Sequence, residues 1–328
     1  MVIVHRDHGV YGLDETVQTY KKILSEFYHS KFEKTLKSNN IPYIITDYED
    51  YDEDLVGDYF VGRFAHALID KELHSKCFDK LYDYYGEKMW PDKKAYYYYD
   101  DKVRQYELLE KYGIHVPSVI CNDLDELLKN VTLGTVIKST YGAGSESTFY
   151  VWAKEHLDNM EEYISQCYNS KNFFPCQVQE YIDVEYEYQI FISDNELYGM
   201  KQKQNKSFDN PVSFPHSKNF YNEHWVSRGE KPEIEDVEKD DLDIEFLQKL
   251  INIKKQLNTP NIKFDIIDNK VLEFSYMYGA TFPITNKVKH NYYDLIEKKW
   301  KEKPISINEW VYKQQISVLK HFGIINGS

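Results

Sequence analysis

Positive charge, arginine and paired cysteines are what this chain has least of. Its 40 lysines and arginines stand against 54 acidic residues, a net charge of −14. That balance excludes nucleic acid, or an anionic membrane, held by broad electrostatics. Any anion site must then be a local cluster of lysines in a negative field. The four cysteines, Cys77, Cys121, Cys167 and Cys176, form no CxxC pair and no zinc-ligand spacing. They read as reduced thiols, and with no apolar run long enough to span a bilayer and no apolar signal segment at the N-terminus, a cytoplasmic protein is expected. No Ser/His/Asp or Cys/His arrangement suggests a side-chain nucleophile, and His5, His8 and His216 read as structural or exposed. Residues 1–90 hold no G-x-G-x-x-G turn, which argues against a dinucleotide site there.

What is present is a large soluble chain. Its 328 residues predict two or three domains, and 42% apolar with 29% charged residues is ordinary globular composition. Residues 1–90 alternate strand and helix: Val2–Val4, a helix over Glu15–Lys37, Tyr43–Thr46, Asp58–Val61 and a helix over Asp70–Tyr84. That alternation predicts a small parallel α/β unit. Asp101 and Lys102 open a helix over Val103–Tyr112, which Gly113 closes. A short helix follows over Asp123–Lys129, then short β runs from 183 to 275 and an amphipathic helix over Ile244–Leu257. Asn205–Lys239, with Pro211, Pro215 and Pro232, reads as a long loop. The tail Tyr292–Phe322 is expected to be largely helical around a break at Pro304, with Trp300, Trp310 and Val318 as anchors. The run Tyr96–Tyr99 reads as composition bias at least as well as a stacking feature.

Four segments carry chemistry. Gly134–Ile137 delivers Lys138, followed by the small loop Ser139-Thr140-Tyr141-Gly142-Ala143-Gly144-Ser145. Glycines let backbone N–H groups approach an anion, and a lysine adds a point charge for phosphate. Next come Gln177–Ile182 and then Glu185–Ile192, where Glu185, Glu187 and Gln189 share one face of an alternating strand. Last is Phe264–Ser275, in which Asp265 and Glu273 lie eight positions apart with Asp268-Asn269-Lys270 midway. Two strands joined by a three-residue turn centred on Asn269 would set these carboxylates side by side.

This order of motifs resembles the ATP-grasp superfamily, most closely its ligases of the ribosomal-protein-S6-modification type, over roughly residues 88–284. The resemblance implies an α/β (α+β) ATP-grasp fold. It would divide into an N-terminal pre-ATP-grasp α/β domain at 1–90, a central lid subdomain at 91–181, and a C-terminal subdomain with a helical tail at 182–328. It matches Lys102 and Lys138 to the lysines that reach the α- and β-phosphates, and Gly142, Gly144 and Ser145 to the loop over the triphosphate. Glu180, Tyr181 and Ile182 match the hinge that reads adenine, and Glu187 the acid for the ribose hydroxyls, with Glu185 its rival. Asp265 and Glu273 match the metal pair, and Ser275 stands where the family usually places Asn. Gly279 matches a following glycine turn.

Lys201, Lys203 and Lys263 are the candidates for the reacting phosphate, and Arg63, with Arg104 and Arg228 less favoured, for a substrate anion. The implied cofactors are ATP and Mg2+, two ions, with Mn2+ an alternative. The implied reaction joins a small carboxylate to an amine through an acylphosphate. Kinase chemistry on the same fold and an ATP-holding module without turnover are the other readings. No nucleic-acid or membrane partner is expected, and a homodimer is left open.

Overall fold

The computed structural model describes residues 2–6, 31–47, 57–62, 71–99, 101–141, 148–151, 153–166, 170–203, 234–276 and 289–325. Three sheets follow one another along the chain. The first joins β1 (Val2–Arg6), β2 (Tyr43–Asp47), β3 (Tyr59–Gly62) and β4 (Met89–Trp90) in the order β2-β1-β3-β4. Every pairing in it is parallel, as the strand–helix alternation predicts, although the two-residue β4 is too short to leave a sequence signal. Residues 31–38 are helical, and the helix Lys71–Tyr85 leads into β4. The earlier part of the helix expected over Glu15–Lys37 lies outside the described residues.

The second sheet is antiparallel and small: β5 (Ser118–Cys121), β8 (Cys176–Glu180), β6 (Thr135–Ser139) and β7 (Thr148–Val151), in that order. Cys121 and Cys176 are buried, free and directly opposite one another in it. The third sheet has seven strands in the order β13-β12-β9-β10-β14-β15, with β11 paired to β10. These are β9 (Tyr186–Ser193), β10 (Glu196–Lys203), β11 (Ile234–Asp236), β12 (Asn261–Ile267), β13 (Lys270–Ser275), β14 (His290–Asp294) and β15 (Lys299–Lys303).

The helix Lys102–Lys111 starts on Asp101, whose carboxylate accepts from the Arg104 N–H at 3.0 Å. Gly113 follows its end at φ +64°, a left-handed position that favours glycine. Ile244–Leu257 is helical as its periodicity predicts, burying Phe246, Leu247, Leu250, Ile251, Ile253 and Leu257.

Two expectations are corrected. Residues 290–303 form the antiparallel pair β14–β15 instead of a helix, and only Ile307–His321 is helical in the tail. Trp300 packs on Tyr293 at 5.7 Å between ring centroids within this hairpin, and β14 pairs with β10, a partner distant in sequence that overrode the local reading. Trp310 and Val318 are buried anchors, as expected. Within the supposed loop Asn205–Lys239, residues 234–236 form β11; residues 204–233 lie outside the described residues. The tyrosine run also has structural work: Tyr96 stacks on Phe78 at 3.7 Å, while Tyr98 and Tyr99 meet Phe274 and Tyr276.

Candidate active site

The site is built from the end of the large sheet. Asp268 and Asn269 both take positive φ, 47° and 54°, and join β12 to β13 as a two-residue turn whose twist suits a hairpin. The expected three-residue turn is therefore one residue shorter. The remaining residue enters a bulge between Asp265 and Ile266, a device that re-aims side chains beside functional sites. Asp265 still falls directly opposite Glu273, and Lys263 opposite Ser275.

Strand alternation then sorts the other candidates by face. Asp265 pairs with Gln189 and Lys263 with Phe191 on β9, so Glu187, two residues from Gln189, shares the face of Asp265, Glu273, Lys263 and Ser275. Lys201 and Lys203 pair with Tyr188 and Tyr186 and lie on the reverse face. The structure does not bring these two lysines to the carboxylates. Lys201 instead donates to Asp241 at 3.1 Å and lies 3.5 Å from Glu235. Burial lowers its pKa, but the hydrogen bond and charge of Asp241 outweigh this and raise it. Lys203 is exposed and 3.7 Å from Glu185, which draws that rival of Glu187 outward.

Lys102 and Lys138 arrive from other elements. Lys102, buried in the first turn of its helix, places Nζ 3.9 Å from Glu273 Oε2. The side chain of Gln105 fixes that placement by gripping the backbone next to Glu273: it donates to the Phe274 carbonyl at 2.9 Å and accepts the Phe274 N–H at 3.0 Å. Lys138 stands on β6 opposite Gln177 of β8. Gln177 donates to the Lys102 carbonyl at 2.7 Å, and the Lys102 N–H donates to the Thr140 carbonyl at 3.0 Å.

The ammonium of Lys138 is lowered to about 8, first by burial. Glu273 opposes that shift, Lys102 adds to it, and Glu187 and Asp265 oppose it. One side chain from the small sheet thus senses four charged candidates from the rest of the molecule. Asp265 is raised, first by burial; Lys263 opposes, while Glu273 and Glu187 add to the rise. Two facing carboxylates with such a rise suit a divalent cation, and magnesium takes one or two carboxylates plus phosphate oxygens. Among the described residues no group of three or more His, Cys, Asp or Glu could hold a metal.

Glu180 closes β8, and the Tyr181 N–H donates to the Gly134 carbonyl at 3.0 Å. Arg104 pairs with Asp101 at 3.2 Å and covers the Tyr97 ring at 4.1 Å, a surface role. Gly142, Gly144, Ser145, Arg63, Arg228, Gly279, His8 and His216 lie outside the described residues. Sequence reasoning missed Gln105, Gln177 and Thr140. Gln105 had a signal, since it stands one helical turn from Lys102; Gln177 had none, as one of two glutamines in the alternating strand Cys176–Glu180.

No family model and no curated protein matches the sequence. Solved structures do match in fold. VanG D-Ala:D-Ser ligase from Enterococcus faecalis aligns with a TM-score of 0.62 at 12% identity, over 98% of each chain. D-alanine–D-alanine ligase from Bacillus anthracis gives 0.61 at 14% identity, over 98% of this chain and 97% of that one; complexed with ATP it gives 0.58. A RimK domain ATP-grasp protein from Sphaerobacter thermophilus gives 0.52 at 10% identity, over 84% and 90%. The chain has the ATP-grasp fold. The likeness runs well beyond residues 88–284, because the D-alanine-type ligases align over nearly the whole chain. No described helix of the chain is long and apolar enough to cross a membrane.

Proposed function

We propose that the chain is an ATP-dependent carboxylate–amine ligase that releases ADP and phosphate. The observation that carries this reading is the register that sets Asp265 directly opposite Glu273, with Lys263 2.8 Å from Asp265 and Lys102, from another element, 3.9 Å from Glu273. In this reading Lys102 and Lys138 hold the α- and β-phosphates, and Glu187 accepts from the ribose hydroxyls. Tyr181 already spends its N–H on Gly134, so we assign the adenine edge to the Glu180 carbonyl and the Ile182 N–H. Asp265 and Glu273 would hold magnesium, with Ser275 able to position a water. The metal supplies neutralisation of phosphate charge when bound.

Lys263 is the lysine we assign to the γ-phosphate, because it alone of the three candidates shares the carboxylate face. A substrate carboxylate attacks the γ-phosphorus, ADP leaves, and an amine then displaces phosphate from the acylphosphate to give an amide. No protein nucleophile is needed. The side chains position the reactants and offset charge that grows on the transferring group. The B. anthracis ligase solved with ATP and the ligases among the fold neighbours support the nucleotide and the bond formed. We expect small carboxylate and amine substrates, an amino acid, short peptide or sugar acid among them.

The test is ADP release from pools of carboxylates and amines, with mass spectrometry of the product. Loss of one water between two substrates, with free phosphate, supports the ligase. A product heavier by one phosphate supports a kinase, and no ADP from any pool supports an ATP-holding module.

A further inference from the structure

We propose that Gln189 is a nucleotide-binding residue whose carboxamide donates to the α-phosphate from the floor of the large sheet. The inference rests on the nucleotide-site reading above and adds an uncharged donor to it.

The place of Gln189 follows from register. On β9 it stands two residues beyond Glu187, on the same face. Across the strands it lies directly opposite Asp265 of β12 on one side and Met200 of β10 on the other. One row of side chains therefore runs Glu273, Asp265, Gln189, Met200 over four strands. The polar part of that row ends at Gln189, because Met200 is buried in the apolar cluster of Phe191, Tyr198 and Trp310. Gln189 itself is half-buried, and it sets an uncharged hydrogen-bonding group between the acid at Glu187 and the facing carboxylates.

A nucleotide laid along this face has to place its groups in their covalent order. The ribose belongs at Glu187, and metal held by Asp265 and Glu273 would meet β- and γ-oxygens. The phosphate next to the ribose is left for the position between them. From Glu187 to Gln189 is about 6.8 Å along the strand, on the scale of one sugar, and from Gln189 to Asp265 is about 4.7–4.9 Å across it. Gln202 is less well placed: it faces Glu187 from β10, one strand further from the carboxylates, and meets the sugar end.

The side chain also suits the task. A carboxamide brings two N–H donors and no charge. A further acid here, beside Glu187, Asp265 and Glu273, would repel phosphate and add to the rise at Asp265. Lys138 comes to the same spot from the small sheet, since its ammonium feels both Glu187 and Asp265, the neighbours of Gln189. The α-phosphate then has a charged donor on one side and a neutral one on the other.

The experiment is a calorimetric titration of wild type and Gln189→Leu with adenosine, AMP, ADP and a nonhydrolysable ATP analogue, weak ligands being measured by competition with ADP. Leucine is of similar size and has no donor. The variant should lose about tenfold in affinity for AMP, ADP and the analogue alike, as one hydrogen bond to a charged group goes, and nothing for adenosine. Gln189→Glu, of the same shape, should lose more for all three phosphates, because a donor becomes an anion. Unchanged affinities would overturn the proposal. So would a loss that begins only with ADP or with the analogue, which puts the contact at a later phosphate, or one that includes adenosine, which puts it at the sugar or reports a disturbed sheet. A wild-type protein that binds none of the four instead sinks the nucleotide-site reading, and this proposal with it. Should Gln189→Leu fail to fold, Gln189→Met serves in the same titrations with the same expected pattern.

Discussion

The small antiparallel sheet packs Cys121, Leu127, Ile137, Phe149, Phe173 and Val178 into a core of its own. One face of the seven-stranded sheet shares a core with the N-terminal parallel sheet, running from Phe60 and Phe78 through Leu108 to Phe264 and Val318, while Phe191, Tyr198, Met200 and Trp310 form a smaller cluster on its other face. Leu108 and Leu109 belong to the helix that carries Lys102, so Lys102 is anchored with the large body and Lys138 with the small one. Between these two lysines the link is polar: the Lys102 N–H to Thr140, and Gln177 to the Lys102 carbonyl. Hydrogen bonds are each worth about 0.5–1.5 kcal/mol net, much less than a fused apolar core. Under the proposed reading, a site whose halves belong to separate cores can open for nucleotide while each half keeps its own geometry.

The sharpest test of that separation compares two buried phenylalanines, both fully covered. Phe264→Ala should cost about 3–5 kcal/mol and raise amide exchange in both the large and the N-terminal sheets. Phe149→Ala removes the same side chain, yet its faster exchange should stay in β5 to β8. Equal spread from both variants would break the comparison.

Next in size is Glu273→Gln, on the large-sheet side. It should lower magnesium-dependent ADP formation by about 10²–10³-fold, as loss of one preorganised electrostatic group does, and spare adenine-nucleotide binding. Wild-type turnover in this variant would remove the metal assignment. Lys138→Ala, on the small-sheet side, should instead weaken nucleotide binding by about 1.5–3 kcal/mol, readable by calorimetry. Gln105→Ala strips the Phe274 backbone of its partner and should destabilise by about 1–3 kcal/mol in urea unfolding, with nucleotide affinity falling as Lys102 loosens.

The smallest effect is in pH. Lys138 titrates near 8 in the folded chain against an ordinary 10.5. Between those values the unfolded chain binds the extra proton, so this group makes stability rise with pH from about 8 to 10.5. Nucleotide affinity should move the other way, weakening above about pH 8 as the ammonium is lost. Lys138→Met should flatten both trends.

Much of the fold was legible because its signals are local. Gly113 after a helix, Asp101 at its opening, and the apolar period of Ile244–Leu257 each depend on a few neighbouring residues. β14 was not legible, since it pairs with β10 far back along the chain, Tyr198 opposite Tyr292, and β15 is a strand only because it pairs with β14 in turn. Asp265 and Glu273 were placed correctly opposite one another by counting alone, although the turn and bulge that achieve it differ from the count's simplest geometry.

By itself the sequence determined the order of the phosphate, hinge and carboxylate segments, because that order is a property of the chain. It also determined that Lys201 and Lys203 share a face, because strand period is two. Which face that is, and hence that Lys263 and not they stand with Asp265 and Glu273, was decided by the register of β10 and β12 on β9. The joining of Lys102 to Lys138 was likewise a tertiary outcome. Their backbones meet through Thr140 and Gln177, which pair only once the small sheet has closed against the helix, and no spacing along a chain encodes the meeting of two separately packed cores.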